Sequence, residues 1–260
     1  MNIQLPQPMA TVLSTLRQHE VQALLMGGQA CVVYGASEFS RDIDVAIYAG
    51  HDNLERLSAA LSVLQAEVIA VPPFTPEVLA RGHAVHFRCI AADKVRLDIM
   101  SRMRNVPSFD VCWNRRSIMP VQDVGDVDIM GLEDLVAAKK TRREKDWPVI
   151  TRLVDVHYRE FGDEPTPSRL GFWLREMRSA EPLVDLVQRA PVEAHGMAAK
   201  RAAVARALDV VTGHGTHTAV RLAVRDEEDI ERAADEEYWA PLVRELEAMR
   251  RGRFRGRGLT

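Results

Sequence analysis

Residues 27–44, GGQACVVYGASEFSRDID, constrain the fold of this 260-residue chain more than any other segment. The apolar run Ala23-Leu24-Leu25-Met26 stops at Gly27-Gly28. A second apolar run opens with Asp42-Ile43-Asp44 and continues to Tyr48. Four apolar residues ended by two glycines predict a short buried strand. Gln29 to Tyr34, closed by Gly35, predicts a short helix, and 42–48 predicts a strand of alternating character. Two buried strands joined through a glycine corner and a helix require a sheet. A membrane span is a poor alternative. The longest uncharged stretch, 21–37, holds 17 residues and includes Gln22 and Gln29, short of the roughly 18 apolar residues that reading needs.

The remaining periodicity fills in the sheet and its helices. Pro8 opens an amphipathic helix with Met9, Val12, Leu13 and Leu16 on one face. Residues 53–65 carry Leu54, Leu57, Leu61 and Leu64 in the same way. Residues 68–71 read as a strand, stopped by Pro72-Pro73. The runs 84–90 and 95–100, separated by four residues, read as a hairpin. From Leu132 onward the pattern is helical, with segments over 147–161, 168–178, 181–189, 195–211 and 226–250. The fold class is therefore α+β: a small mixed sheet of four or five strands with flanking helices, followed by a helical C-terminal part. A boundary falls near 130–165, with Gly162–Pro167 as linker, dividing the chain into 1–130 and 131–260.

Charge follows the same division. Residues 1–130 hold 11 basic and 14 acidic side chains, and residues 131–260 hold 23 of each. The net charge of -3 excludes a uniformly basic nucleic-acid binder and an acidic disordered chain. It does not exclude local segregation: 139–145 carries +4, 226–237 carries -7, and 250–258 contains five arginines. The acidic run reads as the solvated face of the last helix or as a docking surface for the basic tail. That arginine–glycine tail suits single-stranded RNA or phosphate, or serves no role. Cys31, Cys89 and Cys112 lack CxxC spacing and read as buried thiols. No basic and apolar leader opens the chain, so the expected location is cytoplasmic, with no membrane partner.

The chemistry concentrates on three aspartates. On a strand, Asp42 and Asp44 share a face, with Cβ atoms about 7 Å apart. Two ionised carboxylates at that spacing repel unless a cation lies between them, and oxygen donors suit a hard divalent metal. Asp98, in Arg96-Leu97-Asp98-Ile99-Met100, supplies a third carboxylate if its strand lies beside 42–48. Three converging aspartates could hold two Mg²⁺ ions, or Mn²⁺, as in two-metal phosphoryl transfer. Gly27-Gly28 lets backbone N–H groups approach a phosphate chain at a helix start.

Gly27-Gly28, Asp42, Asp44 and Asp98 together resemble the signature of the nucleotidyltransferase superfamily typified by DNA polymerase β. The stretch 132–139 (LEDLVAAK), followed by Arg142, Arg143, Lys145 and Asp146, is similar to a segment of small bacterial nucleotidyltransferases of the AbiEii toxin type. The resemblance spans roughly 21–160. Gly28 stands where many members have serine, and Glu38 where many have arginine.

The resemblance implies a nucleotidyltransferase catalytic domain over 1–130. Its activity would be Mg²⁺-dependent transfer of a nucleoside monophosphate from a nucleoside triphosphate to a hydroxyl. It assigns catalysis and metal binding to Asp42, Asp44 and Asp98. It assigns nucleotide contacts to Gly27, Gly28, Ser40, Arg41, Lys139, Arg143 and Asp146. The implied acceptor is RNA, such as tRNA, or a protein, and an antitoxin protein is an implied partner. An antibiotic adenylyltransferase and a catalytically silent RNA- or protein-binding module are the alternatives.

Among other residues, His83 and His86 flank a strand start and carry a weaker case for the site. Gly213-His214-Gly215-Thr216-His217 reads as a loop and not a metal site.

Overall fold

The structure, a computed structural model, describes residues 4–37 and 40–256, with side chains as far as residue 251. Glu38 lies outside the described residues, as do residues 257–260 and the side chains of 252–256 in the arginine–glycine tail. By contact the chain forms two compact units, Met1–Ala138 with Glu237–Thr260, and Lys139–Glu236. The end of the last helix thus belongs with the first unit. The segment 162–167 joins two helices inside the second.

The first unit runs α1 (Gln7–Gln18), β1 (Ala23–Met26), α2 (Gly27–Val33), β2 (Ile43–Ile47), α3 (His51–Val63), β3 (Ala66–Val68), α4 (Pro76–Ala80), β4 (Val85–Cys89), β5 (Val95–Met100), α5 (Phe109–Asn114), β6 (Ser117–Val121), β7 (Gly125–Ile129) and α6 (Leu132–Lys139), whose last residue is counted with the second unit. A short 3₁₀ turn, Ile90–Ala92, lies inside the β4–β5 hairpin. The sheet has seven strands in the order β3-β4-β5-β2-β1-β7-β6. β1 is antiparallel to β2 and parallel to β7, and β2 is parallel to β5. This is the expected mixed sheet with flanking helices, enlarged at one edge by the antiparallel hairpin β6–β7. That hairpin escapes the sequence pattern because Pro120 interrupts its first strand and three aspartates stand in and before the second. Pro120 is tolerable because β6 is an edge strand, where a missing donor costs no ladder bond.

Side-chain alternation sorts the two faces of the sheet. Ile43, Val45 and Ile47 of β2, Leu97 and Ile99 of β5, and Val85 and Phe87 of β4 are buried. Asp44, Asp98 and His86 lie on the other face. Leu13 and Leu16 of α1 line a cleft together with Leu25, Val45 and Val127 of the apolar face. Asn53 at the start of α3 is 1% exposed and ties strand ends together. Its Nδ2 donates to Gln22 O at 3.1 Å and Tyr48 O at 2.7 Å, and its Oδ1 accepts from Gln22 N at 2.7 Å.

The second unit is helical: α7 (Trp147–Phe161), α8 (Pro167–Glu176), α9 (Ala180–Arg189), α10 (Pro191–Ala198), α11 (Ala202–Val211) and the first part of α12 (His217–Gly256). The single helix expected over 195–211 is two, broken at 199–201. The last helix starts nine residues earlier than expected. Gly213–Thr216 is a loop, as read from its glycines. Phe172 and Trp173 of α8 fill the core with Leu153, Leu183, Leu186 and Val204. Half of the acidic run turns inward: Glu227 meets Arg201 at 3.0 Å, and Glu228 meets Arg178 at 3.6 Å. Glu231 lies 4.0 Å from Lys140, and Asp235 accepts from Arg142 N at 2.8 Å. Arg178 and Arg201 are each 7% exposed, so Glu227 and Glu228 neutralise buried guanidinium charge. Among the described residues no helix is long and apolar enough to cross a membrane.

Trp173 Nε1 donates to His157 Nδ1 at 2.9 Å, so this imidazole is an acceptor and neutral. Burial, with Arg169 adding to it, pushes the His157 pKa down to about 4. The unfolded chain takes up that proton first, near pH 6.5. The stabilisation is therefore whole above about pH 6.5 and is lost as pH falls towards 4. The full shift corresponds to about 3 kcal/mol, and with solvent screening of the half-buried ring thermal unfolding should show a loss on the order of 2 kcal/mol across that window. His157→Gln, which keeps an acceptor but cannot titrate there, should flatten the dependence.

Candidate active site on the polar sheet face

The site begins at the corner between β1 and α2. Gly27 has φ +66°, a left-handed conformation that favours glycine. A Cβ at Gly27 would overlap the Asp44 carboxylate, and one at Gly28 would overlap the Ser40 side chain. The two glycines therefore make room for two polar side chains. Gly28 N lies 3.4 Å from Asp44 Oδ2, and Ser40 Oγ donates to Asp42 O at 3.2 Å. Gln29, 3% exposed, holds the incoming loop through Nε2 to Ser40 O at 2.8 Å. Its role is invisible in the sequence because its partner is a backbone carbonyl eleven residues away.

Strand register sets the rest. In the β2–β5 pair Asp44 stands opposite Asp98, and in the β4–β5 pair His86 stands opposite Asp98. Neighbouring strands are about 4.8 Å apart, so the three side chains form one row across the sheet. Asp42 lies in the bend just before β2, so the strand expected from 42 begins at Ile43. Among the described residues no group of three or more His, Cys, Asp or Glu is gathered as a metal-binding cluster. Asp44 and Asp98 are paired in register, and Asp42, two residues before Asp44, stands outside the row.

Asp98 is 14% exposed and strongly engaged. Arg96 Nε donates to its Oδ1 at 2.7 Å and Nη2 to its Oδ2 at 2.8 Å. His86 Nδ1 lies 2.9 Å from Oδ1 and 3.1 Å from Arg96 Nη2. Burial works to raise the Asp98 pKa, but hydrogen bonds from His86 and Arg96 and their charges outweigh it and hold it below the usual carboxylate value. Arg96 is shifted upward, first by its bond to Asp98, and the charges of Asp42 and Asp44 act in the same direction. Sequence reasoning missed Arg96, although Arg-x-Asp on one strand places both side chains on one face. His83, the other histidine considered, is buried and bonds Glu245 Oε2 at 2.8 Å, away from this row.

Lys139, Arg143 and Asp146 come together within the second unit. Asp146, 3% exposed, accepts from Thr141 Oγ1 at 2.5 Å, Arg143 Nε at 2.7 Å and Lys139 Nζ at 3.4 Å. Lys140 turns instead to Glu176 at 2.8 Å. Arg41 is exposed, beside Asp42 at the entrance to β2.

The donor set of the row suits a hard cation: Asp44 and Asp98 are adjacent carboxylates, and a positive group, Arg96, is already drawn to them.

No protein-family model and no curated protein matches the chain. A solved structure described as a "putative nucleotidyltransferase from H. pylori" is similar over 88% of this chain and 94% of that one, with a TM-score of 0.40 and 14% identity.

Gly27→Ala should cost at least about 1–2 kcal/mol from its left-handed backbone alone and more from displacing Asp44, measured by urea unfolding. Because the Asp98 pKa is lowered, its stabilisation is present above the ordinary carboxylate range and is lost as pH falls through the lowered value. Asp98→Asn should therefore level the stability slope below about pH 4.

Proposed function

We propose that the protein is a divalent-metal-dependent nucleotidyltransferase. It would move a nucleoside monophosphate from a nucleoside triphosphate to a hydroxyl and release pyrophosphate. The observation that carries this reading is the juxtaposition of a glycine corner with Asp44, and of Asp44 with Asp98 in register. A glycine corner packed against one carboxylate, with a second carboxylate in register beside it, is an arrangement suited to phosphoryl transfer.

Asp44 and Asp98 would hold the metal, with Asp42 joining from the bend before β2. Mg²⁺ or Mn²⁺, when bound, would supply charge neutralisation of the phosphates. Gly27 and Gly28 would admit the triphosphate close to the backbone, and Ser40 would line that approach. Asp98 would accept the proton of the acceptor hydroxyl; its lowered pKa keeps it ionised and also makes it a weaker base than an ordinary carboxylate. The resemblance assigns Lys139 and Arg143 to the nucleotide phosphates, and Asp146 to organising the nucleotide contacts. The acceptor is proposed to be an RNA end, such as tRNA, or a protein hydroxyl. With such an acceptor the protein would fit the role of a toxin held by an antitoxin protein.

One observation favours a second reading, a binding module without catalysis. Asp98 is engaged by Arg96 and His86, and no three-residue metal cluster is assembled among the described residues.

Incubation with each α-labelled nucleoside triphosphate and Mg²⁺, in the presence of tRNA and cell protein, separates the two. Label should enter a macromolecule, and Asp44→Asn should reduce incorporation at least about 1,000-fold with circular dichroism unchanged. Full incorporation by Asp44→Asn, or none by wild type with any triphosphate, favours the module.

A further inference from the structure

The polar sheet face of the first unit already contains a cation. Arg96 lies two residues before Asp98 on β5, so both side chains share a face. Its guanidinium meets both carboxylate oxygens, through Nε at 2.7 Å and Nη2 at 2.8 Å. A carboxylate has about four lone-pair positions. Arg96 takes one on each oxygen, and His86 Nδ1 sits 2.9 Å from Oδ1. The same His86 Nδ1 lies 3.1 Å from Arg96 Nη2, so the two positions held by the guanidinium are engaged whichever tautomer the imidazole adopts. The charges of Asp42 and Asp44 reach the same guanidinium, which places it where their repulsion is relieved.

Exposure is unequal between the partners. Arg96 is 42% exposed on its side chain and Asp98 14%. The arginine, on its long flexible stem, can withdraw into water, whereas the aspartate is held by its strand. Even on an unused lone pair of Asp98, a dication would stand within a few ångströms of the guanidinium and be repelled by it.

We infer that Arg96 is the resident counter-ion of the carboxylate row, and that a divalent cation gains Asp98 only by displacing the guanidinium. Arg96 is then a residue that sets metal affinity, and its effect has a definite sign. A brace that holds Asp98 in position for metal would weaken binding when removed. A competitor strengthens binding when removed. The inference rests on the reading of this row as a metal-dependent transferase site.

The test is calorimetric titration of Mn²⁺, without nucleotide, into the full chain. Wild type, Arg96→Met, Arg96→Lys and Asp44→Asn are compared, each checked for folding by circular dichroism. Arg96→Met should bind roughly 10- to 100-fold more tightly than wild type, the scale of one charge-assisted contact. Arg96→Lys keeps the charge but not the fork, and should fall between. It carries the same sign if Arg96→Met does not fold. Equal or weaker binding by both variants overturns the inference. If wild type binds Mn²⁺ in an Asp44-dependent manner while the arginine variants gain nothing, only the competition fails. If no form binds Mn²⁺, the competition fails, and the transferase reading is decided separately by the incorporation of label from the triphosphates. A second readout needs no variant. In the metal-free protein the Arg96 Nε–H signal should be shifted and slow to exchange with water, and saturating Mg²⁺ should move it to the position of a solvated arginine. A signal unmoved at saturation overturns the inference.

Discussion

The antiparallel pairing of β1 with β2 is the constraint on which the candidate site depends. It brings Met26 opposite Asp44, so the chain leaving β1 must pass beside a carboxylate. Only a residue without Cβ can do so there, and Gly27 also needs its left-handed φ to turn into α2. The parallel pairing of β2 with β5 then brings Asp98 next to Asp44. A one-residue slip in either pairing would send the aspartates to the apolar face, where an ionised carboxylate is costly. Register is secured by that cost and by the burial of Ile43, Val45, Leu97 and Ile99 on the other side.

The two units answer the same problem, charge at low exposure, in different ways. In the sheet unit, Asp98 stands at low exposure beside Asp44, and Arg96 answers it. In the helical unit, Arg178 and Arg201 are the buried charges, and glutamates of α12 answer them. Arg178 also stacks 4.6 Å over the Trp147 ring, while its Nε and Nη1 lack hydrogen-bond partners among the described residues. Its pKa is pushed down, first by burial and then by the charge of Arg201. An acidic run that looks like a solvated helix face is in part internal counter-charge. A long-range partner such as Arg201 leaves no trace in the local pattern.

Much of the site was legible because its logic is local. The glycine pair at a strand end, the DID spacing and the VRLDIM strand are short-range features read by period and turn chemistry. The β4–β5 hairpin is legible too. Its register is not: closing residues 91–94 would pair Ile90 with Val95, whereas the structure pairs Cys89 with Val95 around five residues, and only that sets His86 against Asp98 and Arg88 against Arg96. What escaped were features whose partners are distant in sequence. Gln29 holds a carbonyl eleven residues away, His83 bonds Glu245, and β6 and β7 owe their place to an edge that only a folded sheet has.

The sequence by itself determined the α+β class, the strand–glycine–helix corner, the placement of Asp98 on its strand and the helical character of the second half. These follow from periodicity and from the stereochemistry of glycine, which act over a few residues. Tertiary structure alone decided that Asp44 and Asp98 stand in register, that Asp42 sits in the bend outside that row, and that Arg96 and not another cation occupies Asp98. Those outcomes depend on strand order and on competition among charges far apart in the chain. Neither is settled until the sheet has closed around its apolar face.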